Sequence, residues 1–508
     1  MRHPGSGVLE YTRPSPLTPP PSPLAARFSL LASRIKLPAV QRVILLLIDG
    51  LRADVAEREV AAGRLPHLAA LTAGGSRARA ATAFPSTTSV AYLPFLTGAL
   101  PGRCNVPSIR WLDRTAYTGR WWADRDAVRS YCGWQAGHLN RDIAPDVATI
   151  FDLVPESIAI FSMITRGLPT EADRIQGARK FWGTVSHYTE NHQPGDDAVA
   201  AELLAQAGGD WRFCFAQFPA VDGHTHAATP DAPRVLESLR KVDATIGALT
   251  DRLRALGRLD DTLILVVSDH GAAPVHHHLD LATWFRKQGA RTLAHPVLWT
   301  RNPQVAVMVA GNAQAAVYAE PNTPRAARHP LAVLRQAGAL GVRGDAVAAL
   351  TAEAAIALVA GEEVGGGVRV ASRLGEATVR RDGEAISYRR ESGDPLEIGG
   401  DATHDHREWL ARTIDGPFPD GPVSLLDQFQ APRTGDLVVA ASEGWDFREA
   451  WEYPEHKSGH GSLIAAHMLT PAWSNRPLPS GPLRTVDLYP VICAWLGVGP
   501  GEPRPLFS

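Results

Sequence analysis

The amino-acid sequence predicts an α/β fold whose central sheet is mostly parallel and covered by helices on both faces. Four near-continuous apolar runs, bounded by Gly or Asp, are typical of buried parallel strands. Helical patterns lie between these runs, and alternation of strand and helix favours a parallel sheet. Polar side chains also follow the strands at their carboxyl ends, where open parallel sheets bind ligands.

The elements of the first part of the chain follow in order. The predicted strands are VILLLID (43–49), SIAIFSM (157–163), FCFAQF (213–218) and TLILVVSD (262–269). The predicted helices between them include LPHLAALTAGG (65–75) and APRVLESLRKVDATIGALTDRLRALG (232–257). Residues 39–304 are therefore expected to form the first part of an α/β core.

From about Val305 the pattern changes to that of an insertion, which we expect to span 305–430. QVAVMVAG and AAVYAEP predict strands, an alanine-rich stretch predicts a helix near 345–361, and GGVRVASRLGEATVRRDGEAISYRR predicts a hairpin turning at Asp382-Gly383. Core character returns with DLVVAASEGW (436–445), and TVDLYPVICAWLGV (485–498) predicts an amphipathic helix. Residues 431–508 are thus expected to complete the core.

Composition and charge narrow the class of protein. The chain has 508 residues, 45% of them hydrophobic and 20% charged, and a formal net charge of −2. These values are those of an ordinary globular protein and give no indication of a nucleic-acid polymer or an anionic membrane as partner. Four scattered cysteines without CxxC spacing argue against a disulfide scaffold.

The N-terminal residues 1–38 are rich in Pro and Ser and lack a signal-peptide core, so a disordered or extended tail is expected. The sequence contains no uninterrupted apolar stretch near the roughly 18 residues of a membrane span. Together these features predict a cytoplasmic protein without a membrane span.

Carboxylates and imidazoles stand where the predicted strands end. Asp49 ends the first strand, Asp269 and His270 end the fourth, and Asp222 and His226 follow the third. His460 adds a late imidazole between two glycines. Each pattern alone fits a turn or a surface pair. Jointly they predict a metal site, because divalent ions prefer such ligands converging from separate elements.

Residues 84–98, FPSTTSVAYLPFLTG, place two threonines before a short predicted helix that stops at a glycine. Ser and Thr are favoured as helix N-caps, so capping is the simplest role for Thr87 or Thr88. Pro94 interrupts the helix and removes one backbone hydrogen bond.

The order of these motifs resembles the alkaline phosphatase superfamily, and within it the type I phosphodiesterase and nucleotide pyrophosphatase branch. The motifs are the Asp-Gly after the first strand, the threonine before a helix ending in Thr-Gly, Asp-x-x-x-His, Ser-Asp-His-Gly and Gly-His-Gly. The resemblance covers roughly residues 40–285 and 430–500. It implies a three-layer sandwich with a β-rich insertion.

The resemblance also implies two divalent metal ions, usually zinc, with Mn and Mg as alternatives. One ion would be held by Asp49, Asp269, His270 and the nucleophile, and the other by Asp222, His226 and His460. In this branch the nucleophile lies nine residues before the threonine of the Thr-Gly. Counting back from Thr97 selects Thr88, with Thr87 as the alternative.

The resemblance implies hydrolysis of a small-molecule phosphodiester or pyrophosphate through a phospho-threonine. Where relatives carry an Asn that steadies the phosphoryl group, this chain has Ile109, so Arg110 and Asn105 are the candidate substrate-binding residues. A clamp by Arg110 would suit a phosphomonoester. A phosphotransferase or mutase, and a binding protein that keeps the metal site, remain alternatives.

Two further features have open interpretations. The segment 103–141 holds seven arginines and four tryptophans, Trp111, Trp121, Trp122 and Trp134. It would suit either an anionic substrate with a flat part or a lid that packs over the sheet. His276, His277 and His278 follow the predicted ligand His270. They would either support the site or serve as hydrogen-bonded structural histidines.

Overall fold

An eight-stranded sheet, here called the first sheet, forms the centre of the core. The computed structural model describes residues 40–120, 126–296, 298–448, 452–499 and 506–507, so the predicted tail and Trp121 and Trp122 lie outside the described residues. The strands of the first sheet are, in spatial order, Leu483–Arg484, Ser76–Ala81, Leu469–Ser474, Thr262–Val267, Arg42–Ile48, Phe213–Phe218, Ser157–Ile160 and Asp173–Arg174.

The first sheet is mostly parallel, as predicted. The central strand Arg42–Ile48 pairs in parallel with both of its neighbours, and only Leu469–Ser474 runs antiparallel to the strands beside it. The strand predicted at 157–163 ends at Ile160, because Phe161 has a left-handed φ of 64° that breaks the extended backbone.

Helices cover both faces of the first sheet. Along Arg42–Ile48, alternate side chains enter two separate apolar clusters, as the two-residue period of a strand requires. Leu45 packs in the cluster that includes the C-terminal helix Leu488–Leu496, and Ile44 packs in the cluster that includes the long helix Pro233–Ala255. The fold is therefore the α/β three-layer sandwich that the sequence predicts.

A nine-stranded sheet, here called the second sheet, contains most of the predicted insertion. Its strands in spatial order are Thr292–Ala294, Val305–Ala310, Gln314–Ala319, Leu437–Ala441, Ile356–Glu362, Val368–Ser372, Gly375–Asp382, Ala385–Gly393 and Ala402–His404. All its pairings are antiparallel except the first. The hairpin predicted at Asp382-Gly383 is present, with Asp382 paired to Ala385.

The second sheet differs from the sequence predictions at two places. Leu437–Ala441, expected to return the chain to the core, instead pairs with Gln314–Ala319 and Ile356–Glu362. A buried apolar strand has the same sequence pattern in either sheet, so this pattern does not predict which sheet the strand joins. The helix predicted near 345–361 is only Ala346–Ala352, because strand pairing overrides the helix propensity of the alanines that follow.

Two small sheets lie beside the large ones. Ala273–His278 pairs with Gly444–Asp446 and, through its first residues, with Ser458–Gly459. Arg110–Leu112 pairs with Val128–Ser130, and this hairpin shares an apolar cluster with the second sheet.

The remaining elements are helical. The α-helices are Ala53–Ala61, Pro66–Thr72, Leu93–Thr97, Leu139–Asp142, Ile150–Leu153, Gln176–Thr189, Gln193–Gln206, Ala220–His226, Pro233–Ala255, Leu281–Lys287, Leu331–Leu334, Ala346–Ala352, His406–Thr413, Gly421–Gln430, Ala465–Met468 and Leu488–Leu496. The 3₁₀ helices are Val90–Tyr92, Gly133–His138, Thr170–Ala172, Leu259–Asp261 and Thr485–Asp487. Among the described helices, none combines the length and apolar character needed to cross a bilayer.

Candidate active site

The carboxyl ends of three adjacent strands of the first sheet bring the predicted ligands together. Asp49 follows Arg42–Ile48, whose neighbours on either side lead to Asp222 and to Asp269. Gly50 has a φ of 72°, and a Cβ there would lie 2.7 Å from the Cβ of Asp222. The Asp-Gly pair is therefore needed both for the turn and for the close approach of the helix that carries Asp222.

Two clusters of possible metal ligands share one carboxylate. Ligand atoms of Asp222, His226 and His460 lie within 4.8 Å of one another, and so do those of Asp49, Asp222 and His270. Asp269, which is predicted to share an ion with Asp49 and His270, accepts a hydrogen bond from the Gly50 N–H (3.2 Å). Its Oδ2 lies 3.2 Å from His270 Nε2. Asp222 thus lies where the two predicted metal sites meet.

The hydroxyl of Thr88 lies at the second cluster. Its Oγ1 is 3.0 Å from His270 Nε2 and 3.4 Å from Asp49 Oδ1. The predicted helix is divided into the 3₁₀ turn Val90–Tyr92 and the α-helix Leu93–Thr97, which ends at Gly98 in the left-handed conformation. The turn begins without a side-chain cap, so the Thr88 hydroxyl is directed to the site rather than used for capping.

Thr87, the alternative to Thr88, is fully buried. Within the described part of the chain its Oγ1 has no hydrogen-bond partner. Its methyl group approaches Gly311 and Gly461 instead. Of the two hydroxyls, only that of Thr88 therefore lies within hydrogen-bond distance of the predicted ligands.

Each of the three histidines in the clusters bonds to a backbone carbonyl through Nδ1. His226 bonds to Ser458 O (3.1 Å), His270 to Gly271 O (3.0 Å) and His460 to Ser86 O (3.0 Å). Since a carbonyl can only accept, Nδ1 carries a proton, and in each neutral ring Nε2 keeps its lone pair. This arrangement is the one that metal-binding histidines require.

Three buried carboxyl groups lie close together in the site and shift one another's pKa. Burial, and then the charges of Asp269 and Asp222, raises the pKa of Asp49 well above its ordinary value. Burial and Asp222 also raise the pKa of Asp269 to about 8. Among the described residues, Asp222 Oδ1 and Asp269 Oδ2 are buried without hydrogen-bond partners. These oxygens and the three Nε2 lone pairs form a donor set that fits divalent cations.

Four imidazoles form a row through the site. The ring of His270 is stacked on His460 (3.8 Å between centroids), His460 lies 5.1 Å from His226, and His226 lies 4.2 Å from His456. Thr88 contacts the row at its His270 end. The other end is formed by His456, which the sequence reasoning did not identify.

Two residues missed from the sequence fix the orientation of Asp49. Tyr92 donates a hydrogen bond from its hydroxyl to Asp49 Oδ2 (2.9 Å), and the Gln217 side-chain amide donates from Nε2–H to the same oxygen (2.8 Å). Both donors occupy Oδ2 and leave Oδ1 facing Thr88. Tyr92 stands four residues after Thr88 and Gln217 is a polar residue in an apolar strand, which are the signals that could have identified them.

The second sheet contributes a further group that was missed. Asn312, at the tip of the hairpin between Val305–Ala310 and Gln314–Ala319, has a left-handed φ of 64° and its backbone pairs with His460. Its side-chain amide lies 3.0 Å from both carboxylate oxygens of Glu452 and 3.2 Å from His456 Nδ1. No motif in the sequence links these distant positions.

The candidate substrate residues Arg110 and Asn105 contact the second sheet and its connections. Arg110 donates to Val309 O (3.2 Å) and to Ser130 Oγ (3.3 Å). Asn105 accepts a hydrogen bond from the backbone N–H of Arg433 (3.3 Å). Their predicted contact with substrate stays a prediction.

The described part of segment 103–141 packs as a lid would. Trp111 is buried, donates to the Tyr131 hydroxyl (3.1 Å) and lies under the guanidinium of Arg433, 4.4 Å from its ring centroid. Arg129 forms a buried ion pair with Asp142 (2.6 Å). These contacts favour the packing interpretation over a stacking surface for substrate.

The histidines after the fourth strand have structural contacts. His278 bonds to Asp446 through Nδ1 (2.7 Å) and to Glu455 through Nε2 (3.1 Å). The ring of His277 lies 4.7 Å from that of Trp445. They join the strand Ala273–His278 to the chain that leads to His460.

Comparison with solved structures shows the fold independently. Phosphonoacetate hydrolase from Sinorhizobium meliloti 1021, in complex with phosphonoacetate, matches with a TM-score of 0.55 and 14% identity over 90% of this chain and 96% of that chain. Murine ectonucleotide pyrophosphatase / phosphodiesterase 5 matches with a TM-score of 0.52 and 13% identity over 92% and 96%. An inactive threonine-to-alanine variant of the murine protein, in complex with AMP, matches equally well.

No curated protein sequence matches the chain. The family model of type I phosphodiesterase / nucleotide pyrophosphatase matches residues 43–463, which include every predicted metal ligand and Thr88. The chain belongs to the type I phosphodiesterase / nucleotide pyrophosphatase family and is, with it, a hydrolase of phosphoric ester bonds.

Proposed function

We propose that the chain hydrolyses a phosphodiester or pyrophosphate bond through a covalent phospho-threonine at Thr88. The observation that carries this proposal is the position of the Thr88 hydroxyl, 3.0 Å from His270 Nε2 and 3.4 Å from Asp49 Oδ1. An alcohol is a weak nucleophile at neutral pH and needs such activation.

The proposal includes two divalent metal ions, zinc by resemblance. The residues that would hold one ion are Asp49, Thr88, Asp269 and His270, and those that would hold the other are Asp222, His226 and His460. When bound, the two ions would neutralise phosphate charge and polarise the phosphoryl group. The Nδ1 bonds of the histidines and the unpartnered carboxylate oxygens support this assignment.

The side chains themselves supply the nucleophile and its orientation. Thr88 Oγ1 bonds to phosphorus as the bond to the leaving oxygen breaks, and the threonine proton passes to Asp49 Oδ1. Tyr92 and Gln217 keep Asp49 in place through its other oxygen. Water then cleaves the phospho-threonine, which regains its proton and releases the phosphorylated product.

The solved relatives support the choice of nucleophile. The murine phosphodiesterase is described as inactive when one threonine is changed to alanine, and that variant holds AMP. We propose the same role for Thr88, because it is the threonine of its pair that contacts the ligand residues.

Substitution of the two threonines tests the nucleophile. We expect Thr88→Ala to lower kcat by at least about 10³-fold, because the covalent step has no other hydroxyl. Thr87→Val, a matched variant that removes the neighbouring hydroxyl, should keep activity within about 3-fold, since Thr87 Oγ1 makes no hydrogen bond within the described residues.

The measurement combines steady-state kinetics with metal content by elemental analysis. Thr88→Ala protein should still bind two metal ions, because the Asp and His ligands are unchanged. Wild-type turnover by Thr88→Ala, or inactivity of Thr87→Val alone, would contradict the assignment.

Paired p-nitrophenyl phosphate mono- and diesters, assayed with zinc or manganese, test the ester class. We expect the diester to be preferred. Preference for the monoester would favour the alternative of a phosphomonoesterase, and phosphate transfer to an added alcohol would favour a phosphotransferase. Turnover of neither ester with any metal would favour a binding protein that keeps the metal site.

A further inference from the structure

A polar cluster of Asn312, Glu452 and His456 borders the site at the end of the histidine row that is remote from Thr88. Thr88 contacts His270 at one end of this row, whereas His456 lies beyond His226 at the other. In an in-line displacement the leaving group departs opposite to the nucleophile. His456 lies against His226, which belongs to the proposed ligand set without Thr88, so the cluster lies on the leaving-group side of the proposed arrangement.

The cluster is built from largely buried side chains. The side chains of His456 and Glu452 are 12% and 18% exposed, and Asn312 is 6% exposed. The Asn312 backbone is fixed by hydrogen bonds of its neighbours, since the Ala313 N–H donates to His460 O (3.0 Å) and the His460 N–H donates to Gly311 O (3.0 Å). These bonds fix the backbone of Asn312 beside His460.

The hydrogen bonds within the cluster assign the proton of His456. The Asn312 amide nitrogen lies 3.0 Å from each Glu452 oxygen and 3.2 Å from His456 Nδ1. An amide has two hydrogens, so one can be donated to the carboxylate and the other to Nδ1. Nδ1 then accepts, and the ring proton of a neutral His456 is on Nε2, which makes no hydrogen bond within the described residues.

We propose that His456 is a specificity-determining residue that donates a hydrogen bond from Nε2–H to the leaving-group oxygen. This inference rests on the proposed function at Thr88. As Thr88 Oγ1 bonds to phosphorus, the bond to the leaving oxygen breaks and its electron pair stays on that oxygen. His456 stabilises the developing charge without giving up its proton, and the released alkoxide takes a proton from water.

The charges near His456 indicate which leaving groups it accepts. Glu452 Oε1 lies 3.4 Å from His456 Nδ1, and within the described residues no Lys or Arg side chain pairs with this carboxylate, whereas Glu455 is paired with Arg448 (3.5 Å). The Glu452 carboxylate would repel a leaving group that carries its own phosphate. The substrate class is therefore a phosphodiester whose leaving group is an uncharged aliphatic alcohol, in preference to a pyrophosphate.

Thymidine 5′-phosphate esters that differ only in the leaving alcohol test the inference. p-Nitrophenolate leaves without assistance, whereas ethoxide needs stabilisation. For His456→Ala we expect kcat/KM to fall about 10- to 100-fold with the ethyl ester and less than about 3-fold with the p-nitrophenyl ester. His456→Gln, which keeps a neutral N–H donor, should recover part of the loss.

Two controls separate this role from a structural one. His276→Gln changes an exposed histidine on the strand Ala273–His278 and should leave both rates unchanged. The metal content of His456→Ala, measured by elemental analysis, should equal that of the wild type. An equal loss with both esters, or loss of metal, would overturn the role of His456 while leaving the proposed function intact.

The substrate class is tested on the wild type. The ethyl ester should be hydrolysed with a higher kcat/KM than thymidine 5′-diphosphate, and the reverse order would overturn the preference for an uncharged leaving group. A wild type that hydrolyses none of these compounds, including the p-nitrophenyl ester, would instead contradict the proposed function itself.

Discussion

The first and second sheets are built differently and contribute differently to the site. The first sheet is mostly parallel, and its strand ends supply Asp49, Asp269 and His270. The second sheet is mostly antiparallel and contributes the tip of one hairpin, Gly311-Asn312, which contacts His460 from outside the first sheet. One sheet thus supplies most of the predicted ligands, and the other fixes the position of the last imidazole.

The largest expected effect concerns an ion pair between the regions of the two sheets. Arg484, on the edge strand of the first sheet, bonds through Nε to Asp420 (2.6 Å), which precedes the helix packed on the second sheet, and both side chains are nearly fully buried. Asp420→Ala leaves a buried guanidinium unpaired, so the free energy of unfolding should fall by about 3–5 kcal/mol. Chemical denaturation measures this change.

The exposed pair Arg412–Glu408 provides the control for this prediction. Glu408→Ala should change the free energy of unfolding by less than about 1 kcal/mol, because exposed ion pairs contribute little. Equal losses for Asp420→Ala and Glu408→Ala would show that the two regions are not joined through this pair.

A smaller effect is expected at the hairpin tip. Gly311 has a φ of 54°, and a Cβ there would lie 2.7 Å from His460 Nδ1 and 2.8 Å from Thr87 Cγ2. Gly311→Ala should displace His460 and lower kcat/KM about 100-fold, because small displacements of catalytic groups are costly. Steady-state kinetics at saturating metal measures the loss.

Gly383, at the tip of another hairpin of the second sheet, is the matched control. It has a φ of 57° with no atom within 4 Å of an added Cβ. Gly383→Ala should cost about 1–2 kcal/mol of stability from backbone strain alone and leave kcat/KM unchanged. If both variants lose activity equally, the second sheet acts through its overall stability rather than through its contact with His460.

The smallest effect concerns the pH dependence of stability. Asp427 lies on the helix Gly421–Gln430 and accepts a hydrogen bond from the Gly102 N–H (3.0 Å). Burial raises the pKa of Asp427 to about 7, so between about pH 4 and pH 7 the folded state keeps a proton that the unfolded state has lost. Its contribution to stability is therefore fully present below about pH 4 and is lost progressively as the pH rises to the folded pKa of about 7.

Asp427→Asn, a neutral isostere, should remove this contribution. Between about pH 5 and 7 the free energy of unfolding of the wild type should fall relative to that of the variant as the pH rises. The slope of this difference should be at most about 1.4 kcal/mol per pH unit. Denaturation of both proteins across this range measures the difference, and parallel pH profiles would contradict the raised pKa.

The first sheet and its ligands could be predicted from the sequence because their signals are local. Continuous apolar runs identify buried parallel strands, and polar residues at their ends identify the site. The same local signal failed for Leu437–Ala441, since an apolar run does not specify its partner strands. The alanine-rich stretch predicts a helix to residue 361, but only Ala346–Ala352 is helical, because long-range pairing makes Ile356–Glu362 a strand.

The remaining parts of the site depend on contacts between distant positions. The bond from His460 Nδ1 to Ser86 O and the cluster of Asn312 with His456 join residues more than 100 positions apart. Periodicity and motif spacing contain no information on such pairs. The spacing that selected Thr88 over Thr87 agrees with the contacts of the two hydroxyls, although its role as nucleophile stays a prediction.

The paired backbone of Asn312 and His460 also has a kinetic consequence. The amide protons of Ala313 and His460 are both held in hydrogen bonds that cross from the hairpin tip to the loop of His460. They can exchange with solvent only when this junction opens. The rate of that opening sets an upper limit on how long the complete ligand set persists between fluctuations. Fluctuations of the second sheet therefore limit the lifetime of the complete site at the edge of the first sheet.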